Sequence, residues 1–572
     1  MIVLFDLNES NYVHMSEHIT SIIEYFYKWE SEEPERVFLR QPQGDSWNEM
    51  TYGEAGQEAR KMASVLLAKG LKPGDHVGIY SKNCMHWILA DLAIMISGMV
   101  SVPYYSSLPK DQLKEVIDLS DIKALFIGRL DKWGDRDEAI SPQLNVIKFP
   151  RYDDDVVPSV GENWDDLIAK AAPLEGKPSP DLDTPWTIKF TSGTTGTPKG
   201  VVHNHRNPAL LMHNERKTNW VRLFQMKMSK FFSFLPLNHV AERVGVEIPA
   251  ITIGGSISFA QNLASFPQNI RDTQPSMVFA VPRIWTKFYQ GVTSKIPEKR
   301  LDFLLKVPLV SAVVKRKLLT GMGLKDVEIA ATGAAITPAF IKEFFAKLDI
   351  QLIEAYGMTE TLGSIVNAAE PGAPSDSVGR ALPGAKVKID EESGEIMMHT
   401  PYMMAGYYNS PEKTAEVLND DGWLHSGDIG EIDDNGYLRV TGRVKDAFKT
   451  SKGSFVTPNP LEEAIAQNEF VEQVCVVGLG IPQPIALLNL GEAAEGRDAS
   501  DVADSLVQTV KDLNASRANY EAVSTVVIQK EAWTDQNGFL TPTLKVKRTE
   551  LDKAYGQQYL DWHESPDAVI WE

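Results

Sequence analysis

The chain has 572 residues, of which 43% are apolar and 23% are charged, and its formal net charge at pH 7 is -20. This length is too great for one hydrophobic core and predicts about three or four domain-sized units of a globular protein. The acidic balance argues against a general nucleic-acid-binding role, because phosphate backbones need a basic surface.

The cysteine content indicates in which cellular compartment the protein works. Cys84 and Cys475 are the only cysteines, and they lie too far apart in the sequence to indicate a metal cluster or a disulfide framework. A reducing compartment fits best, so we predict a cytoplasmic location. The first eleven residues carry Asp6 and Glu9 and no basic start, which is not typical of a signal peptide.

Strand and helix patterns alternate in the first 130 residues. Strands are predicted at 77–81, 100–104 and 124–127, with helices at 87–96 and 109–119. Such alternation predicts a parallel sheet covered by helices. The longest apolar stretch, 87–105, contains Asp91, Gly98 and Pro103, so it predicts a buried helix followed by a strand and not a membrane span.

A glycine- and hydroxyl-rich loop follows a predicted strand at 186–190. Its glycines let backbone amides approach a ligand, its hydroxyls supply hydrogen-bond donors and its lysine adds positive charge, which together indicate a cradle for a polyphosphate. It is not a Walker P-loop, because Lys199 is followed by Gly200. The candidate phosphate-binding residues are Thr191, Ser192, Gly193, Thr194, Thr195, Gly196 and Lys199.

Further strands are predicted at 231–236, 257–260, 277–281, 327–331 and 351–355. The last two run into small or polar residues, at 332–335 and 356–361. In open α/β sheets ligands bind at the carboxyl ends of strands, so both endings are candidate ligand walls.

Residues 295–325 concentrate Lys and Arg within an acidic protein. A solvated helix face is the favoured interpretation, because basic runs are usually solvated and the total charge opposes an anionic surface. Peripheral contact with an anionic membrane stays open as the alternative, since a lipid substrate would make such contact useful.

Short, turn-rich strands at 387–389 and 395–398, followed by residues 422–430 and a hairpin signal at 433–436, predict a small β unit. Mixed strands and helices after Asp446 predict a separate C-terminal domain, with the boundary within 443–446.

Five motifs follow one another along the chain: the phosphate loop, residues 356–360, residues 422–430, residues 442–446 and a lysine near the C-terminus. In these motifs and their order the chain closely resembles the adenylate-forming superfamily of acyl-CoA synthetases, luciferases and peptide-synthetase adenylation domains. The resemblance implies that a carboxylate attacks the α-phosphate of ATP to give an acyl-adenylate and pyrophosphate, and that the thiol of coenzyme A then displaces AMP. The expected fold is α/β. Residues 1–443 would form a large domain of two helix-covered, doubly wound sheets plus a small β-barrel-like unit, and residues 444–572 a small mobile α+β domain.

The resemblance also implies roles for single residues. Glu360 with Thr194 would hold Mg2+, for which a carboxylate and a hydroxyl are suitable ligands. Asp428 would accept hydrogen bonds from the ribose hydroxyls, with Arg443 as a second ribose contact. The remaining ATP-binding residues implied are the adenine-stacking Tyr356, its neighbours Gly357, Met358 and Thr359, and the small-residue wall of Gly333, Ala334 and Ala335.

The catalytic lysine is assigned from residues 538–548, which look like the long-chain branch of the family. Lys545 would stabilise the charge that develops in the transition state, and Lys547 is the competing assignment. The family rotates its C-terminal domain between the two half-reactions, and the hinge would fall on Lys445. Gly453-Ser454 departs from the Gly-Glu of many relatives, which leaves details of that pocket open.

Residues 235–243 and 281–287 look like those of long-chain fatty acyl-CoA synthetases. His239 would lie beside the acyl entrance, and its alternative is a structural histidine at a strand end.

We therefore predict a long-chain fatty acid:CoA ligase using Mg2+, ATP and coenzyme A, with no nucleic acid as partner. A ligase for a shorter or branched acid is the alternative within the fold. A non-catalytic acyl-binding protein is the alternative of another class, opposed by Lys545, Glu360 and Asp428. The oligomeric state is open and compatible with a homodimer, and peripheral contact at the inner membrane face remains the alternative location.

Overall fold

The computed structural model describes residues 18–572 apart from 45, 153–155, 157, 192–197, 371, 516, 535, 542–544 and the side chain of 455. Its described residues form two compact units. The first comprises the chain up to Thr191 together with Pro198–Lys386 and His399–Gly422, and the second comprises Val387–Met398 and Trp423–Glu572. The predicted domain boundary after residue 443 remains a prediction.

An eight-stranded sheet lies in the first unit. Its central strands are parallel, as the alternation predicts, whereas the strand Lys199–Asn204 runs antiparallel to both of its neighbours. From edge to edge the strands are Gly406–Tyr407, Lys199–Asn204, Pro185–Thr191, Val100–Tyr104, His76–Tyr80, Ile122–Ile127, Asn145–Lys148 and Glu162–Asn163.

A nine-stranded sheet forms the other half of the same unit. It is parallel in its middle and antiparallel at both edges. In order its strands are Arg380–Ala381, Gly363–Asn367, Leu352–Met358, Ile329–Gly333, Met277–Ala280, Lys230–Ser233, Ser256–Phe259, Val37–Gln43 and Ser46–Thr51.

Helices cover both sheets. The helix Met85–Ile96 is buried at every residue and packs in one core cluster with Ile79 of the eight-stranded sheet and Phe231 of the nine-stranded sheet. A helix that is apolar all round except for His86 and Asp91 is stable only in such an interior. No helix in the described part of the chain is long and apolar enough to cross a bilayer. The other α-helices of this unit are Ile22–Glu32, Tyr52–Ala68, Lys110–Ser120, Trp164–Ile168, Arg206–Thr218, Val240–Glu242, Ile248–Ile253, Phe266–Thr273, Pro282–Thr293, Glu298–Lys306, Pro308–Met322, Ala339–Lys347 and Pro411–Ala415.

Two sheets organise the second unit. The predicted small β unit is a four-stranded sheet in the order Lys386–Ile389, Glu395–His399, Leu424–Ile432 and Leu438–Arg443. The C-terminal sheet has the order Val471–Val477, Ile485–Leu490, Val526–Ile528 and Val569–Trp571. A short pair, Phe448–Lys449 and Phe455–Val456, and the helices Asn459–Ile465, Ala499–Asn514, Arg548–Tyr555 and Tyr559–Glu564 complete it.

The predicted α/β class is confirmed, with differences at the edges. The strand predicted at 351–355 extends to Met358, because its last residues pair with Gly363–Asn367 in a tight reversal that the sequence did not signal. After the short helix Val240–Glu242 the chain forms a π-helical turn, Arg243–Glu247, in which Arg243 Nε donates to Glu247 Oε2 over 2.5 Å.

Candidate active site

The predicted phosphate loop connects two paired strands. Pro185–Thr191 and Lys199–Asn204 form an antiparallel hairpin in which Thr191 is the partner of Lys199. The Thr191 hydroxyl donates to the Lys199 carbonyl oxygen over 3.4 Å. Gly200 is required here, because a Cβ would lie 2.9 Å from Ile188 Cγ2. The predicted phosphate-binding residues Ser192, Gly193, Thr194, Thr195 and Gly196 lie outside the described residues.

Tyr407 links two of the predicted site residues. Its hydroxyl donates to Glu360 Oε1 over 2.7 Å, and the Lys199 ammonium lies 4.7 Å from the centre of its ring. Strand pairing produces this contact, since Gly406–Tyr407 adds to the strand that begins at Lys199. A cation over an aromatic face and a hydroxyl on a carboxylate are both favourable contacts, so one side chain orients both charges.

The turn that carries Glu360 is held from two sides. Thr359–Thr361 forms a 3-10 turn, and His203 Nε2 lies 2.7 Å from the Thr359 carbonyl oxygen, so the ring donates from Nε2. Burial lowers the pKa of His203 to about 4, so this imidazole is neutral near pH 7. The Met404 amide donates to the Glu360 carbonyl oxygen over 2.8 Å. The Glu360 backbone is therefore fixed, and its side chain is buried at 8% exposure.

The two predicted ligand walls are neighbours. Gly333 pairs with Ala355 at the carboxyl ends of adjacent parallel strands, and a Cβ on Gly333 would lie 2.5 Å from the Ala355 carbonyl oxygen. Ala334 follows with φ of 66°, a left-handed conformation that costs a non-glycine residue energy. Ala334 and Ala335 are exposed, and Tyr356 continues the second strand. The small residues Gly333, Ala334 and Ala335 thus lie next to the strand that carries Tyr356.

His239 caps a helix. Its Nδ1 accepts from the Ala241 amide over 3.2 Å at the start of Val240–Glu242. The cap gives the ring a local structural contact, and the position of His239 beside the acyl entrance remains a prediction.

A buried ionic cluster follows this cap. Arg243 is fully buried, donates to Asp91 and to Glu247, and lies 4.0 Å from the Trp186 ring centre. It joins the helix between the two sheets to the π-helical turn. Lys189 interacts electrostatically with the same cluster, and burial lowers its pKa well below the usual value.

In the second unit, the predicted ribose contacts meet directly. Asp428 and Arg443 are cross-strand partners, and Arg443 Nε lies 3.0 Å from Asp428 Oδ1. Asp428 is buried at 9% exposure, whereas the Arg443 side chain is half exposed. Glu395 shapes the preceding turn, since its Oε1 accepts from the Gly427 amide over 2.7 Å and its Oε2 lies 2.9 Å from His425 Nδ1.

The backbone of Lys545 forms two hydrogen bonds with Thr541. Its carbonyl oxygen accepts from the Thr541 amide over 2.8 Å, and its amide donates to the Thr541 hydroxyl over 3.1 Å. Desolvation lowers the pKa of Lys545 to about 8, with repulsion from Arg443 adding to this effect and attraction to Asp428 opposing it. Lys545 thus shares an electrostatic neighbourhood with both ribose candidates.

Lys445 is exposed in a turn after the strand Leu438–Arg443. The Asp446 amide donates to the Arg443 carbonyl oxygen over 3.2 Å, which closes the turn around the candidate hinge.

The described residues fit a magnesium ion that arrives with a nucleotide. Within them, no group of three or more His, Cys, Asp or Glu could hold a metal by itself. Magnesium in nucleotide sites is commonly held by one or two carboxylates and by substrate phosphates, so the single buried carboxylate of Glu360 suits it.

The model for AMP-binding enzymes matches residues 26–408, and the model for the C-terminal domain of AMP-binding enzymes matches residues 445–560. The chain belongs to the AMP-binding enzyme family. Long-chain-fatty-acid--CoA ligase 5 of Mus musculus is 28% identical over 90% of this chain and 84% of its own length. Long chain acyl-CoA synthetase 7, peroxisomal, of Arabidopsis thaliana is 29% identical over 89% of this chain and 80% of its own length.

The solved structure of the A domain of carboxylic acid reductase from Segniliparus rugosus, in complex with AMP and a co-purified carboxylic acid, shares the fold. It has a TM-score of 0.75 and 20% identity, and the match covers 95% of this chain and 94% of that one. The predicted resemblance to the adenylate-forming superfamily and its long-chain acyl-CoA synthetase branch is confirmed.

Sequence reasoning missed three residues of this AMP-binding enzyme: Tyr407, Glu395 and Arg243. Tyr407 stands in Gly406-Tyr407-Tyr408, which reads as a short strand and carries no sign of a partner so distant in sequence. Arg243 and Glu247 stand four residues apart, a spacing that brings two side chains together on a helix and could have indicated an ion pair.

Proposed function

We propose that this AMP-binding enzyme activates a long-chain fatty acid with ATP and transfers the acyl group to coenzyme A. A carboxylate oxygen attacks the α-phosphorus, the bond to the bridging oxygen breaks, and pyrophosphate leaves. The sulfur of coenzyme A then attacks the acyl carbonyl carbon, loses its proton, and AMP leaves. The observation that carries the proposal is the similarity to named long-chain fatty acid ligases along nine-tenths of the chain.

In the first unit, Thr191 and Lys199 would bind the phosphates together with the loop residues Ser192 to Gly196. Magnesium, held by Glu360 and Thr194, would neutralise the charge of the departing pyrophosphate. These roles of Lys199 and Glu360 are supported by their contacts with Tyr407, which keep both charged groups oriented before a ligand binds.

The adenine would lie against the paired strand ends at Gly333 and Tyr356. This placement is supported by the close approach of the two strands, because it leaves room only for small side chains beside the adenine ring. Ala334, Ala335, Gly357, Met358 and Thr359 would complete this wall.

In the second unit, Asp428 would accept from the ribose hydroxyls, with Arg443 beside it. Lys545 would stabilise the charge on the α-phosphate as the new bond forms. Its electrostatic contact with Asp428 and Arg443 supports Lys545 over Lys547, which has no comparable interaction with them among the described contacts. Lys445 would be the hinge of the rotation between half-reactions, and its exposed turn supports that role.

A cytoplasmic location belongs to the same proposal and is supported by Cys84 and Cys475, which are buried free thiols. The oligomeric state remains open, a homodimer included.

Pyrophosphate release, measured with acids from acetate to stearate, tests the proposal. We expect the highest kcat/KM with long acids and a strongly reduced release by Lys545→Ala. A preference for short acids would favour the shorter-chain ligase. Tight binding of a long acid without any pyrophosphate release in the unaltered chain would favour the non-catalytic acyl-binding protein.

A further inference from the structure

Two consecutive helices of the first unit expose a group of apolar side chains. Glu298–Lys306 and Pro308–Met322 meet at Val307, and Pro308 starts the second helix. Leu309 is 87% exposed, and Phe303 and Val313 are each 67% exposed. Val307 and Val310 are also exposed, so five large apolar residues lie within eleven positions of this corner. Single exposed apolar residues are common on proteins, but a group of this size marks an interaction surface.

Basic side chains continue the same helix face. Residues 309, 313 and 316 are spaced by four and three positions, which places them on one side of an α-helix. Leu309 and Val313 therefore share a face with Arg316, and Lys317 stands beside it. Met322 is the only buried residue of this helix. The face is apolar at its N-terminal end and cationic at its C-terminal end.

The local charge is opposite to that of the whole protein. Residues 295–325 contain eight Lys and Arg against Glu298 and Asp302, whereas the chain carries -20. Lys315 is paired with Asp349 at 2.7 Å, but Lys306, Arg316 and Lys317 are exposed. At physiological ionic strength charges more than about 8 Å apart are largely screened, so an approaching surface feels this patch more than the distant acidic residues.

We propose that this corner, Phe303 to Lys317, docks on the surface of an anionic lipid bilayer. Leu309, Val313 and Phe303 enter the boundary between headgroups and acyl chains, while Arg316 and Lys317 contact lipid phosphates. A second copy of this chain fits the surface poorly, because a two-fold contact would bring the same cations against each other. The docking requires no spanning helix and does not depend on the proposed reaction.

The sequence alone favours a solvated face for these residues, because it gives their charge but not their exposure. The exposed apolar side chains provide the reason to prefer a membrane. A purely solvated cationic helix would not need Leu309 and Val313 outward at the same corner.

Cosedimentation of the full chain with lipid vesicles tests the proposal. We expect binding to vesicles of phosphatidylcholine mixed with phosphatidylglycerol, weakened by salt, and little binding to phosphatidylcholine alone. Arg316→Glu with Lys317→Glu should weaken the partition coefficient by about 30-fold or more, because each basic residue near such a surface contributes several-fold. Leu309→Ser with Val313→Ser should weaken it by about tenfold or more.

Matched controls lie elsewhere in the same unit. Lys72→Glu with Lys132→Glu changes the net charge equally at exposed sites, and Leu263→Ser removes an apolar side chain that is 90% exposed. Both controls should bind vesicles within about twofold of the unaltered chain. Circular dichroism and the thermal midpoint should be unchanged in every variant.

Equal binding to neutral and anionic vesicles would overturn the proposal, as would full retention of binding by both corner variants. Concentration-dependent dimerisation of the unaltered chain without lipid, lost in Leu309→Ser with Val313→Ser, would overturn it in favour of a second copy.

Discussion

Tyr407 donates to Glu360 Oε1 over 2.7 Å, while its ring centre lies 4.7 Å from the Lys199 ammonium. The ring and the hydroxyl thus serve different partners, a candidate phosphate-binding cation and a candidate metal-binding carboxylate. Substitutions can separate the two contacts, because phenylalanine keeps the ring and loses only the hydroxyl.

Tyr407→Phe should lower kcat/KM for adenylation by about 10- to 100-fold, since a hydrogen bond to a charged group contributes about 1.5–3 kcal/mol. We expect the loss to be greatest at low Mg2+, because Glu360 would lose its orientation. The affinity for ATP without metal, measured by calorimetry, should stay near that of the unaltered chain because Lys199 keeps its ring.

Tyr52→Phe is the matched control for this substitution. Tyr52 is buried and donates to the Gly255 carbonyl oxygen over 2.9 Å, an uncharged partner. It should lower stability without changing the Mg2+ dependence. If both variants shifted the Mg2+ requirement equally, Tyr407 would have only a structural role.

The ionisation of Lys545 should determine how the adenylation rate falls at alkaline pH. Its lowered pKa of about 8 means that the amine is charged below that pH and loses its proton above it. Adenylation should therefore fall as the pH rises through about 8. The measurement is pyrophosphate exchange, which leaves out the ionisation of the coenzyme A thiol.

Substitutions at Lys545 separate charge from position. Lys545→Ala should slow adenylation by about 10²- to 10³-fold or more and spare acyl transfer from supplied acyl-adenylate. Lys545→Arg should retain a small rate without the alkaline fall, because a guanidinium stays charged. Lys547→Ala should resemble the unaltered chain, and a greater loss there than at Lys545 would reverse the assignment.

Lys445→Pro should impair the second half-reaction more than the first, because proline fixes the φ angle of the candidate hinge. Stopped-flow measurement of acyl-adenylate consumption by coenzyme A checks this, with Lys445→Ala as the control that keeps the backbone free. Unchanged steady-state thioester formation by the proline variant would place the hinge elsewhere.

Arg243→Met should destabilise the first unit by about 3–5 kcal/mol, because it leaves Asp91 and Glu247 as buried carboxylates without their cation. Arg206→Met removes an exposed pair with Asp183 and should cost about 0–1 kcal/mol. Urea unfolding of both variants measures the difference. Equal midpoints would mean that the buried cluster contributes no more than a surface pair.

The sequence predicted what depends on local chemistry. The strands on both sides of the phosphate loop, the buried helix that contains Asp91 and the small residues at Gly333 all follow from patterning and turn composition. The Tyr407 contact could not be predicted, because strand pairing brings it to Glu360 and no local pattern encodes which edge Gly406–Tyr407 joins. The Glu395 contact with Gly427 depends in the same way on the register of two strands.

Position 407 needs a side chain that contacts both Lys199 and Glu360, which limits the residues it tolerates. Phenylalanine keeps only the contact between its ring and the Lys199 ammonium. Histidine has a hydrogen-bond donor, but its side chain is shorter, so the donor lies at a different distance from Glu360. The ring of Tyr408 packs edge-on against His76, with 5.1 Å between the ring centres, and against the core of the eight-stranded sheet. In a saturation library selected for growth that depends on this enzyme's activity, position 407 should accept a narrower range of amino acids than position 408.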